Sequence, residues 1–300
     1  MVADPFIIET VDLRKHYDGV KAVRCLTLQV PAGSIYGFLG KNGAGKTTTI
    51  KILLGMARPN SGHARVFGLA AEAQEPGVEI RRRTGFVSEE KDLFDGMTVE
   101  RIIRFTAAFY PRWRADLEAR YLRTFDLPLD RKVKALSRGM RTKLALMLAL
   151  CRGAELLVLD EPTAGLDPAV IEEVLQALVS HVASEEMTVF FSSHQIAEVD
   201  QIADRVAIID RGRAVVTGAL DDLREQYRRI QFVFDGDAPE APWRAPGIVR
   251  VRREGRVLSV VSSAGAEQIL DEARALHPVS VDVIPVTLKE IFLETVATEN

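Results

Sequence analysis

The sequence predicts an α/β fold with a mainly parallel, helix-covered sheet, followed by a smaller α+β unit. Three observations carry this. Apolar strand candidates alternate with helical stretches from residue 5 to about residue 218, the pattern of crossover helices between parallel strands. The apolar run 35–39 feeds a glycine-rich loop, Gly40-Lys-Asn-Gly-Ala-Gly45-Lys46-Thr47, and a helical run follows it. After about residue 227 the character changes, and residues 235–247 are rich in Pro, Ala and acidic side chains, as expected of a linker.

The elements follow in order. Residues 7–13 and 22–30 read as strands of a partly solvated sheet, 35–39 as a buried strand, and 47–54 as a helix. Residues 65–67 and 84–87 are weaker strand candidates. Between 99 and 150 the chain turns helical, with Trp113 and Phe125 as expected core anchors of a helical lobe. Strands at 156–159, 188–192 and 206–209 come next. Between the first two, Ile171, Val174, Leu175, Leu178 and Val182 fall on one helical face. In the last segment, 248–252 and 256–261 read as a hairpin around Glu254-Gly255. Ile269, Leu270, Ala273 and Leu276 form a helical stripe, and Val279, Val281 and Val283 alternate like a strand. Thr287-Leu-Lys-Glu290 is a capping box opening a final helix. We place a large domain at 1–227, with its helical lobe at about 91–150, and a small accessory domain at 228–300.

Composition sets bounds. The chain has 300 residues, 47% of them hydrophobic, and a formal net charge of -3, so it carries no electrostatic footprint for nucleic acid. Cys25 and Cys151 lie among apolar neighbours and read as buried free thiols of a reducing compartment. The opening MVADPF lacks the basic-then-apolar pattern of a secretory leader. The longest apolar run, 144–151, falls far short of the ~20 residues that span a bilayer. Any connection to a membrane is therefore expected to run through a partner.

The chemistry concentrates in two places. In the glycine loop, Gly40, Gly43 and Gly45 let backbone N–H groups close on phosphate oxygens, aided by the positive end of the following helix. Lys46 is expected to reach the terminal phosphates and the Thr47 hydroxyl to ligate Mg²⁺. The second place is the run 136–168. It opens with a Ser-x-Gly turn, continues as an apolar helix, and ends in a strand that delivers Asp160 and Glu161. A carboxylate pair there fits a metal ligand, Asp160, followed by a general base, Glu161, that polarises water.

Taken together, these ordered motifs resemble the ATPase subunit of ATP-binding-cassette (ABC) transporters over residues 7–223. The resemblance implies a P-loop NTPase core with an antiparallel β subdomain and a helical lobe, and Mg²⁺ and ATP as ligands. It extends the phosphate contacts to Asn42, Ala44 and Thr48, and puts Tyr17 on the adenine. It matches Leu136-Ser137-Arg138-Gly139-Met140 to the signature loop, where Ser137 and Gly139 touch the γ-phosphate held by a second cassette chain. Asp167, in Gly165-Leu-Asp167, belongs to the loop crossing that dimer interface, and His194 is similar to the switch histidine at the γ-phosphate. His16, His63, His181 and His277 receive no role.

Three positions depart from the family pattern. Glu89 stands where glutamine is usual, and as a third metal ligand it adds negative charge beside a polyanion, for which its pKa or the metal geometry must compensate. Arg138 replaces a glycine, and either approaches the opposite γ-phosphate or faces solvent. Met140 replaces a glutamine. The resemblance further implies a transmembrane permease as partner, export as the direction, and the cytoplasmic face of the membrane as the location. The segment 90–104, with Leu93, Phe94 and Met97, is the expected docking surface. Rival readings are a cassette ATPase acting on ribosomes or nucleic acid, and a non-hydrolysing nucleotide-dependent regulator.

Overall fold

The computed structural model describes residues 6–185, 187–240 and 243–296, and contacts divide the chain into two units, Met1–Ala214 and Val215–Asn300. In the first unit, β1 (Phe6–Tyr17) and β2 (Val20–Pro31) form an antiparallel hairpin. Its two-residue turn is Asp18-Gly19, with φ of 39° and 87°, the left-handed pair that a tight hairpin of this twist requires. β3 (Ile35–Gly40) is buried along its whole length and leads through the glycine loop into α1 (Lys46–Leu53). Then come β4 (Ser61–Val66), β5 (Leu69–Ala70), α2 (Gln74–Arg83) and β6 (Thr84–Val87).

The helical lobe comprises α3 (Val99–Ala107), α4 (Ala115–Thr124) and α5 (Arg138–Leu150), with α3 and α4 packed on α5. Thr98 and Ser137 cap α3 and α5, each side chain accepting a bond from the first turn. Phe125 is buried as expected. Trp113 is only half-buried, because its indole N–H donates to Glu118 at 2.6 Å beside solvent, so it is no core anchor. The chain returns to the sheet with β7 (Leu156–Asp160), α6 (Pro168–Glu185), β8 (Thr188–Ser193), α7 (Ile196–Ile202) and β9 (Arg205–Asp210), and crosses into the second unit within β10 (Arg213–Ala219).

Two sheets result. One is antiparallel with order β2-β1-β4-β5, and the other runs β10-β9-β3-β8-β7-β6, parallel from β9 to β6. β3, β7 and β8 are continuous buried runs rather than alternating ones, as parallel strands covered on both faces must be. Ile8, Leu26 and Leu28 of the antiparallel sheet, Ile50 and Leu53 of α1, and Phe38 and Phe190 of the parallel sheet share one apolar cluster. Each such side chain contributes about 1.5–3 kcal/mol by burial. That cluster grips the helix behind the glycine loop. Cys25 departs from expectation. It is half-exposed, with positive φ, and its Sγ donates to Asp12 at 3.0 Å, while Cys151 is buried and its thiol is pushed up to about 12 by burial.

The second unit continues with α8 (Leu220–Gln226), β11 (Arg228–Val233), β12 (Ile248–Glu254), β13 (Val257–Ser262), α9 (Ala266–Arg274), β14 (Ser280–Pro285) and α10 (Leu288–Val296). Its strands form an antiparallel sheet of order β12-β13-β11-β14. Ile230, Phe232, Leu258 and Val260 line the face that packs with Ile269 and Ala273 of α9. The capping box forms: the Thr287 N–H donates to Glu290 and the Glu290 N–H to Thr287 Oγ1. Glu294 of α10 is buried against Arg250 and Arg252, at 3.1 and 3.0 Å.

His181 of α6 is buried and its Nδ1 meets the Tyr121 hydroxyl at 2.9 Å. Burial pushes its pKa down from 6.5 to about 4, with Arg120 and Arg114 adding to that and Glu185 opposing. The unfolded chain therefore binds this proton at a higher pH than the folded one. The stability at stake is fully present above pH 6.5 and falls as pH drops toward 4, by about 3 kcal/mol in all. Urea unfolding at pH 7 and pH 4.5 is expected to show this acid-side loss, and His181→Leu to abolish that component of it.

Candidate functional site

β3, β8 and β7 are adjacent in the parallel sheet, and each ends at the same edge in a polar loop. The carboxyl ends of such strands are where ligands of open α/β sheets bind. After β3 comes the glycine loop. Gly43 has φ 80° and faces open space, and Gly45 has φ 105°. A Cβ on Gly45 would collide with the Ala22 carbonyl oxygen of β2, so that glycine seats the loop against the antiparallel sheet. Lys46 is buried, and its Nζ donates to the carbonyls of Gly40 (2.7 Å) and Lys41 (3.2 Å). Asn42 is exposed, Ala44 is buried, and Thr47 and Thr48 are half-buried in the first turn of α1.

After β7, Asp160 and Glu161 are both buried. Glu161 has φ 47°, a left-handed conformation uncommon for glutamate, and five groups hold it there. Its Oε1 lies 3.0 Å from Lys46 Nζ and its Oε2 2.8 Å from His194 Nδ1. Its N–H donates to Ser192 Oγ at 3.0 Å, and its carbonyl accepts from Lys91 Nζ at 3.1 Å and from the Ala164 N–H at 3.3 Å. Ser192 in turn donates to Asp160 Oδ1 at 2.7 Å. The Lys46 contact is a charge pair without hydrogen-bond alignment, so among the described residues Oε1 remains a buried acceptor with no hydrogen bond. His194, after β8, keeps 41% of its side chain exposed, so one ring edge faces Glu161 and another solvent. Ser193 Oγ donates to buried Glu198 at 2.7 Å, and burial raises the Glu198 pKa.

The structure thus brings Lys46, Asp160, Glu161 and His194 together. Several other expected site residues make no hydrogen bond or ion pair with this cluster within one chain. Tyr17 is 44% exposed with Lys15 Nζ 4.5 Å above its ring. Ser137 is exposed and occupied as the cap of α5, and Gly139 stands against Val170 at the start of α6. Asp167 and Glu89 are exposed. Arg138 folds over the neighbouring loop, where a Cβ on Gly165 would collide with its guanidinium.

Three residues that sequence reasoning did not single out complete the site: Ser192, Glu198 and Lys91. Lys91 is buried with φ 51°, between exposed Glu90 and Asp92. Burial lowers its pKa, the Arg138 charge adds to that, and Glu89, Glu161 and Asp160 pull it back up. The signal for it lay in the charge Glu89 introduces, which called for a cation nearby.

A divalent cation fits this donor set. Ser192 occupies one oxygen of Asp160, and Glu161 Oε1 is a buried acceptor with no hydrogen bond. Among the described residues no group of three or more His, Cys, Asp or Glu side chains is arranged to hold a metal ion by itself.

Comparison with known proteins agrees with this geometry. The model of the "ABC transporter" family matches residues 23–164, and a model described as "AAA domain, putative AbiEii toxin, Type IV TA system" matches residues 129–200. The bacitracin transport ATP-binding protein BcrA of Bacillus licheniformis is 37% identical over 225 residues, 74% of this chain and 73% of the relative. The ABC transporter ATP-binding protein YtrB of Bacillus subtilis is 26% identical over 287 residues, 96% of this chain and 97% of the relative. Among solved structures, an ATP-binding subunit of an ABC transporter superposes with a TM-score of 0.66 at 30% identity, covering 73% of this chain and 92% of the other.

Ser192 both donates to Asp160 and accepts from Glu161, so its loss strands two buried partners. Ser192→Ala is expected to cost about 2–3 kcal/mol, read as a lowered urea midpoint, a larger penalty than an exposed serine carries.

Proposed function

The chain belongs to the ATP-binding-cassette transporter ATPases, and we propose that it hydrolyses ATP between two cassettes to drive a separate transmembrane permease, as an exporter. The observation that carries this is the buried Glu161 carboxylate, held between Lys46 and His194 with one oxygen left unbonded. Such an atom can accept a proton from an attacking water. ATP phosphates entering the glycine loop would draw the Lys46 ammonium off the Gly40 and Lys41 carbonyls, and so loosen its charge pair with Glu161. Glu161 then orients water, and His194 Nδ1 keeps the other carboxylate oxygen in place. Mg²⁺, when bound, supplies positive charge to the phosphates, and Thr47 and Asp160 are the residues that would hold it, with Glu89 as a further oxygen donor. Tyr17 supplies an exposed aromatic face for adenine.

In a head-to-tail pair, Ser137, Gly139 and Asp167 of one chain face the nucleotide of the other. Their exposure in the single chain supports that reading. Loss of the γ-phosphate then releases the halves, the two-state element that moves the permease. A docking surface for the permease is at hand. Phe94, Phe105 and Phe109 are 59%, 41% and 66% exposed and stack edge-to-face in a row, with centroids 5.5 and 5.1 Å apart. Beside Phe109 lies a groove of about 430 Å³ lined by Met56, Val78, Phe86 and Tyr110. Among the described residues no helix is long and apolar enough to cross a membrane. This reading sets the protein at the cytoplasmic face. The relative BcrA, a bacitracin transport ATP-binding protein, supports a transport role.

Glu161→Gln is expected to lower ATP turnover by about 10²–10⁴-fold in the purified chain while ATP binding persists. Unchanged turnover sinks the ATPase reading. Replacing Phe105 and Phe109 together by Ser is expected to abolish co-purification with a multi-span membrane protein, while turnover of the chain alone stays within about twofold of wild type.

A further inference from the structure

Glu161 is anchored at its amide by Ser192, at its carboxylate by Lys46 and His194, and at its carbonyl by Lys91 and Ala164. Ser192, His194, Lys46 and Ala164 all belong to the loops and strands of the sheet core. Lys91 alone comes from the segment between β6 and α3, which leads into the helical lobe. The geometry points to Lys91 as a positioning residue: its buried ammonium fixes the peptide from which the Glu161 carboxylate is presented, and ties that peptide to the segment carrying Phe94. This inference rests on the ATPase reading above.

The local structure supports it. The Lys91 N–H bonds back to the Ser88 carbonyl at 3.2 Å, closing a turn, and Lys91 adopts φ 51°. That left-handed step sends its side chain inward while Glu89, Glu90 and Asp92 stay exposed. Its stem lines a cavity of about 120 Å³ with Phe86, Leu93, Thr106 and Leu148, so strand, segment and lobe helices all meet it. Two left-handed non-glycine residues, Lys91 and Glu161, thus face each other across one 3.1 Å bond. Each such conformation is strained and persists only where surroundings enforce it. A lysine has the reach and the charge for this, and a charge-assisted donor to a carbonyl is stronger than a neutral one. Movement of the segment around Phe94 would pull on the Glu161 peptide directly, which gives the docking surface a physical route to the base.

The test is ATP turnover of the full-length chain alongside equilibrium binding of a fluorescent ATP analogue, for wild type, Lys91→Met, Lys91→Arg and Glu161→Gln. A shift of the carboxylate by about 1 Å costs about 10²-fold. Lys91→Met is therefore expected to lower kcat by about 10–100-fold with analogue affinity within twofold of wild type. Lys91→Arg, which keeps the charged donor, is expected to recover most of the loss. Adding Lys91→Met to Glu161→Gln is expected to lower turnover no further. A kcat for Lys91→Met within twofold of wild type overturns the proposal. So does an equal loss of turnover and affinity, or a Lys91→Arg no better than Lys91→Met. Should Lys91→Met not fold, Lys91→Arg against Lys91→Gln decides, with Arg the more active if the proposal holds. Wild-type turnover that Glu161→Gln leaves untouched overturns the ATPase reading, and this proposal with it. A Glu161-dependent turnover that ignores Lys91 overturns the proposal alone.

Discussion

The arrangement around one carboxylate governs the rest of this structure. A buried glutamate with no partner costs several kcal/mol, and a glutamate at φ 47° adds backbone strain. Both are tolerated because Lys46 and His194 engage the carboxylate while Ser192 and Lys91 engage the peptide. Those partners come from the end of β8 and from the segments that follow β3, β8 and β6. The parallel order that sets β3, β8, β7 and β6 side by side is therefore a precondition for the site. The continuous buried, mostly apolar runs of β3, β7 and β8 secure that order and leave the carboxylates and the lysine to the strand ends.

A second constraint is close approach of backbones. Gly45 and Gly212 both stand against the Ala22 carbonyl, with φ of 105° and 79°, where no side chain fits. The antiparallel sheet thus presses on the phosphate loop through β2, and the shared core of Leu26, Leu28 and Ile50 backs that pressure. Rigid presentation of backbone N–H groups is what makes a glycine loop a phosphate site rather than a flexible turn. Gly165 plays a comparable part for Arg138, whose guanidinium occupies the room a Cβ would take. The arginine that replaces a glycine in the signature turn is therefore accommodated by a glycine elsewhere in the same chain.

Much of this was legible in the sequence, because the informative features are local. The glycine loop between strand and helix, the acid pair after an apolar strand, and the Ser-x-Gly cap of α5 each declare themselves within ten residues or so. What escaped was non-local or masked by polarity. β11 alternates Ile230 and Phe232 inward, but Arg228 at its start and Arg229 and Gln231 on its other face hide the period. Trp113 looked like core by size alone, and its N–H kept it near Glu118 and water. Cys25 sits among apolar neighbours in the chain, yet a left-handed residue in β2 turns it toward Asp12. Ser192 and Lys91 carry no motif at all. Their roles exist only once β7, β8 and the loop after β6 are adjacent in space.

The surface left over by this economy is itself informative. Within the chain, Ser137 satisfies only its own helix, Asp167 is exposed, and Gly139 brings the signature turn within 3.2 Å of Val170 as judged by its implied Cβ. Two polar loops are thereby held side by side at one surface by α5 and α6. Glu161, by contrast, is buried and already clasped. If it is the base, a group this well held has little left to gain from its own chain, and control of turnover falls to what approaches it. Under the proposed reading, a two-fold pairing brings the same two loops of a second copy to each phosphate site, since a self-complementary interface applies every contact twice. The chemistry would then be fixed in the monomer and licensed by the pair, which is how one ATPase can stay quiet until closure and its membrane partner both agree.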